Sequence, residues 1–148
     1  MRAVLEVQII RLDPELPLPS YARPGDAGVD LAARQGVVLR AGGGRALVPT
    51  GLALALPDGW AGLVLPRSGL ALRHGITCLN TPGLIDAGYR DEVQVLLVNT
   101  DGESDYEVMR GDRIAQLLVQ QVAQVQFCPV DTLPPSARGP GGFGSTGR

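Results

Sequence analysis

Glycine and proline interrupt this chain so often that a helix of ordinary length has little room to form: 20 glycines and 12 prolines punctuate 148 residues. Short runs of β type lie between the breaks. Val4–Arg11 comes first, and a proline-rich crossing (Pro14, Pro17, Pro19, Pro24) follows. Next come Gly28–Ala33, Val37–Arg40, Arg45–Pro49, Leu52–Leu56 and Trp60–Leu65. Ile76–Asn80, Glu92–Asn99, Tyr106–Met109 and Ile114–Val119 complete the series. Strands at this spacing predict an all-β sandwich, barrel or jelly roll. Leu52–Leu56 alternates large and small residues, so one face packs deeply and the other lets a neighbouring sheet approach. Ser68–Arg73 predicts one helical turn. Ile114–Phe127 is ambiguous, because Ile114, Leu117, Leu118, Val122 and Val125 also make a helix stripe; its frequent valine favours two strands.

Charge and composition remove several kinds of chemistry. A net charge of −2 gives no electrostatic footprint for gripping a nucleic acid polymer. All 13 basic residues are arginine, so neither a Schiff-base lysine nor a P-loop lysine is available. Arginine's planar fork still suits phosphate. Any histidine-based triad or zinc site would have to be built around His74, the one histidine, which is more simply read as a structural residue. Cys78 and Cys128 are too few for a disulfide framework and read as reduced, buried side chains. No apolar run reaches membrane-spanning length and no signal-peptide pattern opens the chain, so the expected location is the cytoplasm, without a membrane partner. One β-domain is expected over residues 1–133, followed by a flexible glycine-rich arm over 134–148, too poor in apolar residues to order itself.

Four segments carry candidate chemistry. In Gly83-Leu84-Ile85-Asp86-Ala87-Gly88-Tyr89-Arg90, Asp86 reads either as a turn-forming aspartate or as a carboxylate that orients or deprotonates water. Tyr89 reads as core or as a flat wall for a ring. Pro66-Arg67-Ser68-Gly69-Leu70-Ala71 reads as a strand-to-turn connection or as a phosphate cradle built from backbone N–H groups, a hydroxyl and an arginine. Gln116 stands between Ile114 and Leu118 on one strand face, where its amide needs a partner from protein or ligand. Gly139–Thr146 has the glycine spacing of a Walker A loop, but Ser145 stands where that loop needs lysine, which excludes a P-loop enzyme. The glycine-rich backbone still suits wrapping a phosphate, or is simply a loose terminus.

In their order along the chain these segments are more specific than any one of them. Ala27-Gly28-Val29-Asp30-Leu31, Pro66–Ala71, Asn80–Glu92, Gly111–Gln116 and Arg138–Gly147 resemble the five ordered motifs of the trimeric dUTPases. The resemblance implies a jelly roll or distorted β-barrel (a β-clip) and a homotrimer with active sites at subunit interfaces, each closed by an arm from a neighbour. It implies hydrolysis of dUTP to dUMP and pyrophosphate by water attack at the α-phosphorus, with Mg²⁺, limiting uracil incorporation into DNA and supplying dUMP for thymidylate synthesis. By that resemblance Asp86 positions the water, Tyr89 lies beneath the deoxyribose, and Asn80 with the hairpin backbone reads uracil. Leu84, Ile85 and Gln94 line that pocket. Arg67, Ser68, Gly69 and Gln116 hold the phosphates. Arg138, Phe143, Gly144 and Ser145 belong to the closing arm, and Asp30 meets the metal through water. Position 91 is Asp, where the family commonly has Gly. The rival readings are a dCTP deaminase or bifunctional relative of the same fold, and a non-catalytic nucleotide-binding jelly roll.

Overall fold

The computed structural model describes residues 4–147, in which ten strands and one short helix are formed. In chain order these are β1 (Gln8–Arg11), β2 (Val29–Ala32), β3 (Val37–Leu39), β4 (Arg45–Ala55) and β5 (Trp60–Leu65). Then come α1 (Ser68–His74), β6 (Ile76–Cys78), β7 (Gly83–Ile85), β8 (Glu92–Asn99), β9 (Tyr106–Val108) and β10 (Arg113–Gln121). Two four-stranded sheets, ordered β1-β4-β8-β6 and β2-β10-β5-β7, are accompanied by the ribbon β3-β9. Every pairing is antiparallel.

One core joins all three sheets. Val48, Val95 and Leu97 come from the first, Leu31, Val64, Ala115 and Leu117 from the second, and Leu39 and Val108 from the ribbon. The alternation of β8 explains its share: Val93, Val95 and Leu97 face inward, while Gln94 is exposed. Two polar side chains lie inside and both are satisfied. Thr50 donates to the Val93 carbonyl at 2.6 Å. Asn99 donates to the carbonyls of Leu39 (3.0 Å) and Ser104 (2.9 Å), and accepts from the Asp101 N–H at 2.9 Å.

The jelly-roll expectation holds, but the sheets do not close into a barrel. The expected strands Arg45–Pro49 and Leu52–Leu56 are one strand, β4, interrupted by a register shift between Pro49 and Ala53. Its Leu-Ala alternation is covered on both faces, since Leu52, Ala53 and Leu54 are all buried, while β1 and β8 pair along its edges. The hairpin segment contributes a strand of its own, β7, paired to β5. Of the two strands favoured for 114–127, the first forms as β10 and the second does not. Residues 122–147 carry no helix or strand. Cys128 lies in that segment and is exposed, contrary to its expected burial; Cys78 is buried. The helical turn forms as α1 and ends at Gly75, whose left-handed φ of 65° lets its N–H return to the Ala71 and Leu70 carbonyls. Among the described residues no helix is long and apolar enough to cross a membrane.

Candidate active site

β7 and the start of β8 enclose a cleft of about 260 Å³. It is lined by Asn80, Gly83, Leu84, Ile85 and Tyr89, inside the Asn80–Glu92 segment, and by Gln94 just beyond it. Glycine is required at 83 by close approach, since a Cβ there would come within 3.2 Å of the Val64 Cβ and 3.4 Å of the Asn80 Nδ2. The Asn80 amide therefore sits against a bare stretch of backbone. A cis peptide joins Thr81 to Pro82 within the same turn. Leu84 is exposed, whereas Ile85 is 7% exposed and belongs mainly to the core, packed against Gly62. Tyr89 is half-exposed, and its hydroxyl donates to the Glu92 carbonyl at 2.8 Å. Four wall residues had no sequence signal: Leu47, Val64, Val93 and Leu96. Leu47 and Leu96 come together only because β4 and β8 pair in that register.

Asp86 directly follows β7 and faces the other way, into a recess with Asp58, Trp60, Ala61, Val122 and Gln124. It is exposed, and its carbonyl accepts the Tyr89 N–H at 3.1 Å, closing the turn between them. Arg90 braces that turn by donating to the carbonyls of Ala87 (2.6 Å) and Tyr89 (3.1 Å).

A second cluster forms at the far end of β5. Gln116 is paired with Leu65 on one side and Asp30 on the other, which brings β10 and β2 beside the Pro66–Gly69 turn. A register irregularity between Arg113 and Ala115 buries Ile114 together with Ala115. Gln116 therefore shares its outer face with Leu118 but not with Ile114, as the plain alternation had suggested. Arg67 donates to the Arg113 carbonyl at 3.2 Å, and its Nε lies 3.2 Å from Asp30 Oδ1. That approach lacks hydrogen-bonding geometry, so Oδ1 is buried without a hydrogen bond. Asp30 Oδ2 accepts from Arg113 at 3.3 Å. Two arginines thus hold one carboxylate, Arg113 by a hydrogen bond to Oδ2 and Arg67 by an ion pair with Oδ1. Ser68 is exposed and Gly69 partly so.

The arm residues join neither cluster. Arg138 donates to the Gly141 carbonyl at 2.9 Å, and Gly139 N–H to the Ser136 hydroxyl at 3.1 Å. Ser145 N–H returns to the Gly142 carbonyl at 3.0 Å. Phe143 is fully exposed with φ of 49°, and Gly144 follows with φ of 82°. Among the described residues no three His, Cys, Asp or Glu side chains gather as a metal cage.

Residues 14–147 match the family described as dUTPase. The deoxyuridine 5'-triphosphate nucleotidohydrolase of Thermobifida fusca is 59% identical over 97% of this chain and 79% of its own length. That of Streptomyces coelicolor is 57% identical over 99% of this chain and 79% of its own. Among solved structures, the dUTPase of Staphylococcus bacteriophage 80alpha with dUPNHPP superposes with a TM-score of 0.90. Its identity is 25%, over 98% of this chain and all of that one. A variant of the 80alpha phage dUTPase gives 0.85 at 26% identity, over 95% of this chain and 98% of its own. A phage phi11 dUTPase of S. aureus, described with a structural Mg(II) ion, shares the fold with a TM-score of 0.79 at 23% identity.

Proposed function

The chain belongs to the dUTPase family, and from that premise we propose how its own residues hydrolyse dUTP to dUMP and pyrophosphate. The observation that carries the reading is the cleft at β7, where the Asn80 and Gln94 amides and bare backbone face apolar walls. Uracil's edge pairs with the Asn80 amide and the hairpin backbone. Cytosine presents the reverse edge and leaves buried groups unpaired, which discriminates strongly. Leu84, Ile85 and Gln94 complete the walls, and the Tyr89 ring beneath the sugar leaves no space for a 2′-hydroxyl.

Asp86 orients a water and accepts its proton as the oxygen bonds to the α-phosphorus. The bond from that phosphorus to the bridging oxygen breaks in line, and pyrophosphate departs with the electron pair. Such transfers depend mainly on positioning and charge neutralisation. Arg67, Ser68, Gly69 and Gln116 hold the phosphates, and Arg138 with Phe143, Gly144 and Ser145 closes over them. Asp30 would hold Mg²⁺ through water once its Oδ1 parts from Arg67 Nε, now 3.2 Å away, and the triphosphate would supply the other ligands. When bound there, Mg²⁺ neutralises charge on the phosphates. The chain works in the cytoplasm.

These groups meet only between copies. The register that pairs Gly62 with Ile85 sets Ala61 opposite Asp86, and Gln116 pairs with Leu65 beside the arginine turn. From Ala61 to Arg67 the extended chain covers about 20 Å. A triphosphate is much shorter than that. A homotrimer in which Asp86 and Tyr89 of one protomer face Arg67 of a second, with the arm of a third, resolves the gap. The exposed Val125, Phe127, Val130 and Leu133 offer apolar surface for such contacts.

Pyrophosphate release from dUTP, dCTP, dTTP and UTP, each with Mg²⁺ and with EDTA, tests the reading. Mg²⁺-dependent release from dUTP and none from the other three is expected. Equal release from UTP would remove the role of Tyr89, and release from none of the four would remove the proposed chemistry.

A further inference from the structure

The foot of the substrate hairpin rests on a carboxylate that the mechanism above does not use. Glu92 opens β8, and its Oε1 accepts from the Gly51 N–H at 2.9 Å and from Arg34 Nη1 at 3.0 Å. The side chain is 16% exposed. Between the Pro49–Gln94 and Ala53–Glu92 pairs, β4 advances four residues while β8 advances two. The surplus of β4 bends around this carboxylate. Gly51 has φ of 74°, and a Cβ there would come within 3.0 Å of the Asp13 Cβ. Only glycine turns its N–H onto Glu92 at this point without strain.

The carbonyl of the same residue accepts the Tyr89 hydroxyl at 2.8 Å. Glu92 therefore grips β4 with its side chain and the tyrosine with its main chain. Arg34 is fixed in turn: Nη2 donates to the Leu12 carbonyl at 3.2 Å, and its main-chain N–H to the Pro49 carbonyl at 2.8 Å. Arg110 spans from Asp13 to the Arg34 carbonyl, bracing the arginine from behind.

We infer that Glu92 is a positioning residue for sugar selection, acting through Tyr89 with Arg34 as its counter-ion. The inference rests on the reading that Tyr89 lies beneath the deoxyribose. A wall excludes one added hydroxyl only while it stays in place, and a single neutral hydrogen bond to the first residue of β8 leaves the tyrosine without that constraint. The charge-assisted bonds to Gly51 and Arg34 supply it. Catalytic groups stay untouched, so loss of the clamp admits UTP more than it slows dUTP.

The test is kcat/KM for dUTP and for UTP in the full-length protein and in Tyr89→Ala, Glu92→Ala, Glu92→Gln and Arg34→Met. Tyr89→Ala and Glu92→Ala are expected to raise the UTP-to-dUTP ratio by about ten-fold or more. Glu92→Gln keeps an oxygen facing the Gly51 N–H and is expected to raise the ratio only about two- to three-fold, with Arg34→Met between the two. If Tyr89→Ala shifts the ratio and Glu92→Ala lowers both substrates equally, the inference is overturned while the tyrosine reading stands. If Tyr89→Ala leaves the ratio unmoved, both fall. Should Glu92→Ala not fold, Arg34→Met decides: an unmoved ratio overturns the clamp.

Discussion

Asp86 and Cys78 are single residues whose behaviour follows from where they sit. Asp86 is exposed just after β7, in a recess beside Trp60. Asparagine there keeps size and hydrogen-bonding shape but cannot take a proton. Asp86→Asn is expected to lower kcat by about 10²–10⁴-fold, while calorimetry shows dUTP still binding. Cys78 has the opposite setting: burial pushes its thiol up to about 11, and the thiolate is the reactive form. In a Cys128→Ser background, the native protein is expected to take up no maleimide at pH 8, and the unfolded protein to label fully. Residue identity and local order were enough to nominate Asp86. They were not enough for Cys128, because a reduced cysteine reads as a small buried side chain from its residue type alone. Among the described residues its segment forms no strand, and Cys128 is exposed.

At the scale of elements, the joints between strands carry the specificity of the fold. Asn99, fully buried at the end of β8, ties the β3 carbonyl of Leu39 to the loop before β9. Asn99→Ala leaves the Leu39 and Ser104 carbonyls and the Asp101 N–H without this partner. A loss of about 2–4 kcal/mol is expected, read as a lower urea midpoint with unchanged slope at fixed protein concentration. The strands themselves were legible, since period-2 alternation and glycine–proline breaks are local properties. The joints were not. The β4 irregularity around Gly51 and the one in β10 at Ile114 depend on what lies across the sheet. Pro49 and Gly51 looked like a break between two strands because either residue usually ends one. Here Glu92 fills the bend, and β4 continues.

For the whole molecule, the decisive feature is that Asp86 and the Pro66–Gly69 turn lie at opposite ends of β5. Asp86→Asn and Arg67→Ala, each inactive when pure, are expected to regain activity when co-expressed, because some mixed sites draw both intact residues from different copies. Pyrophosphate release by the co-purified mixture measures it, and no recovery would mean that each site is built within one chain. The sequence by itself determined the all-β class, the order of the candidate motifs and the residue types suited to phosphate and base. Turn chemistry, alternation and side-chain donors are written into neighbouring residues. Tertiary structure decided which motifs are neighbours, that Leu47 and Leu96 join the cleft wall, and that Ile85 turns mainly into the core. It also decided that Arg67 and Arg113 hold Asp30 and that the Glu92 carbonyl accepts the Tyr89 hydroxyl. Each of these depends on strand register, and register is set by packing among residues far apart in the chain.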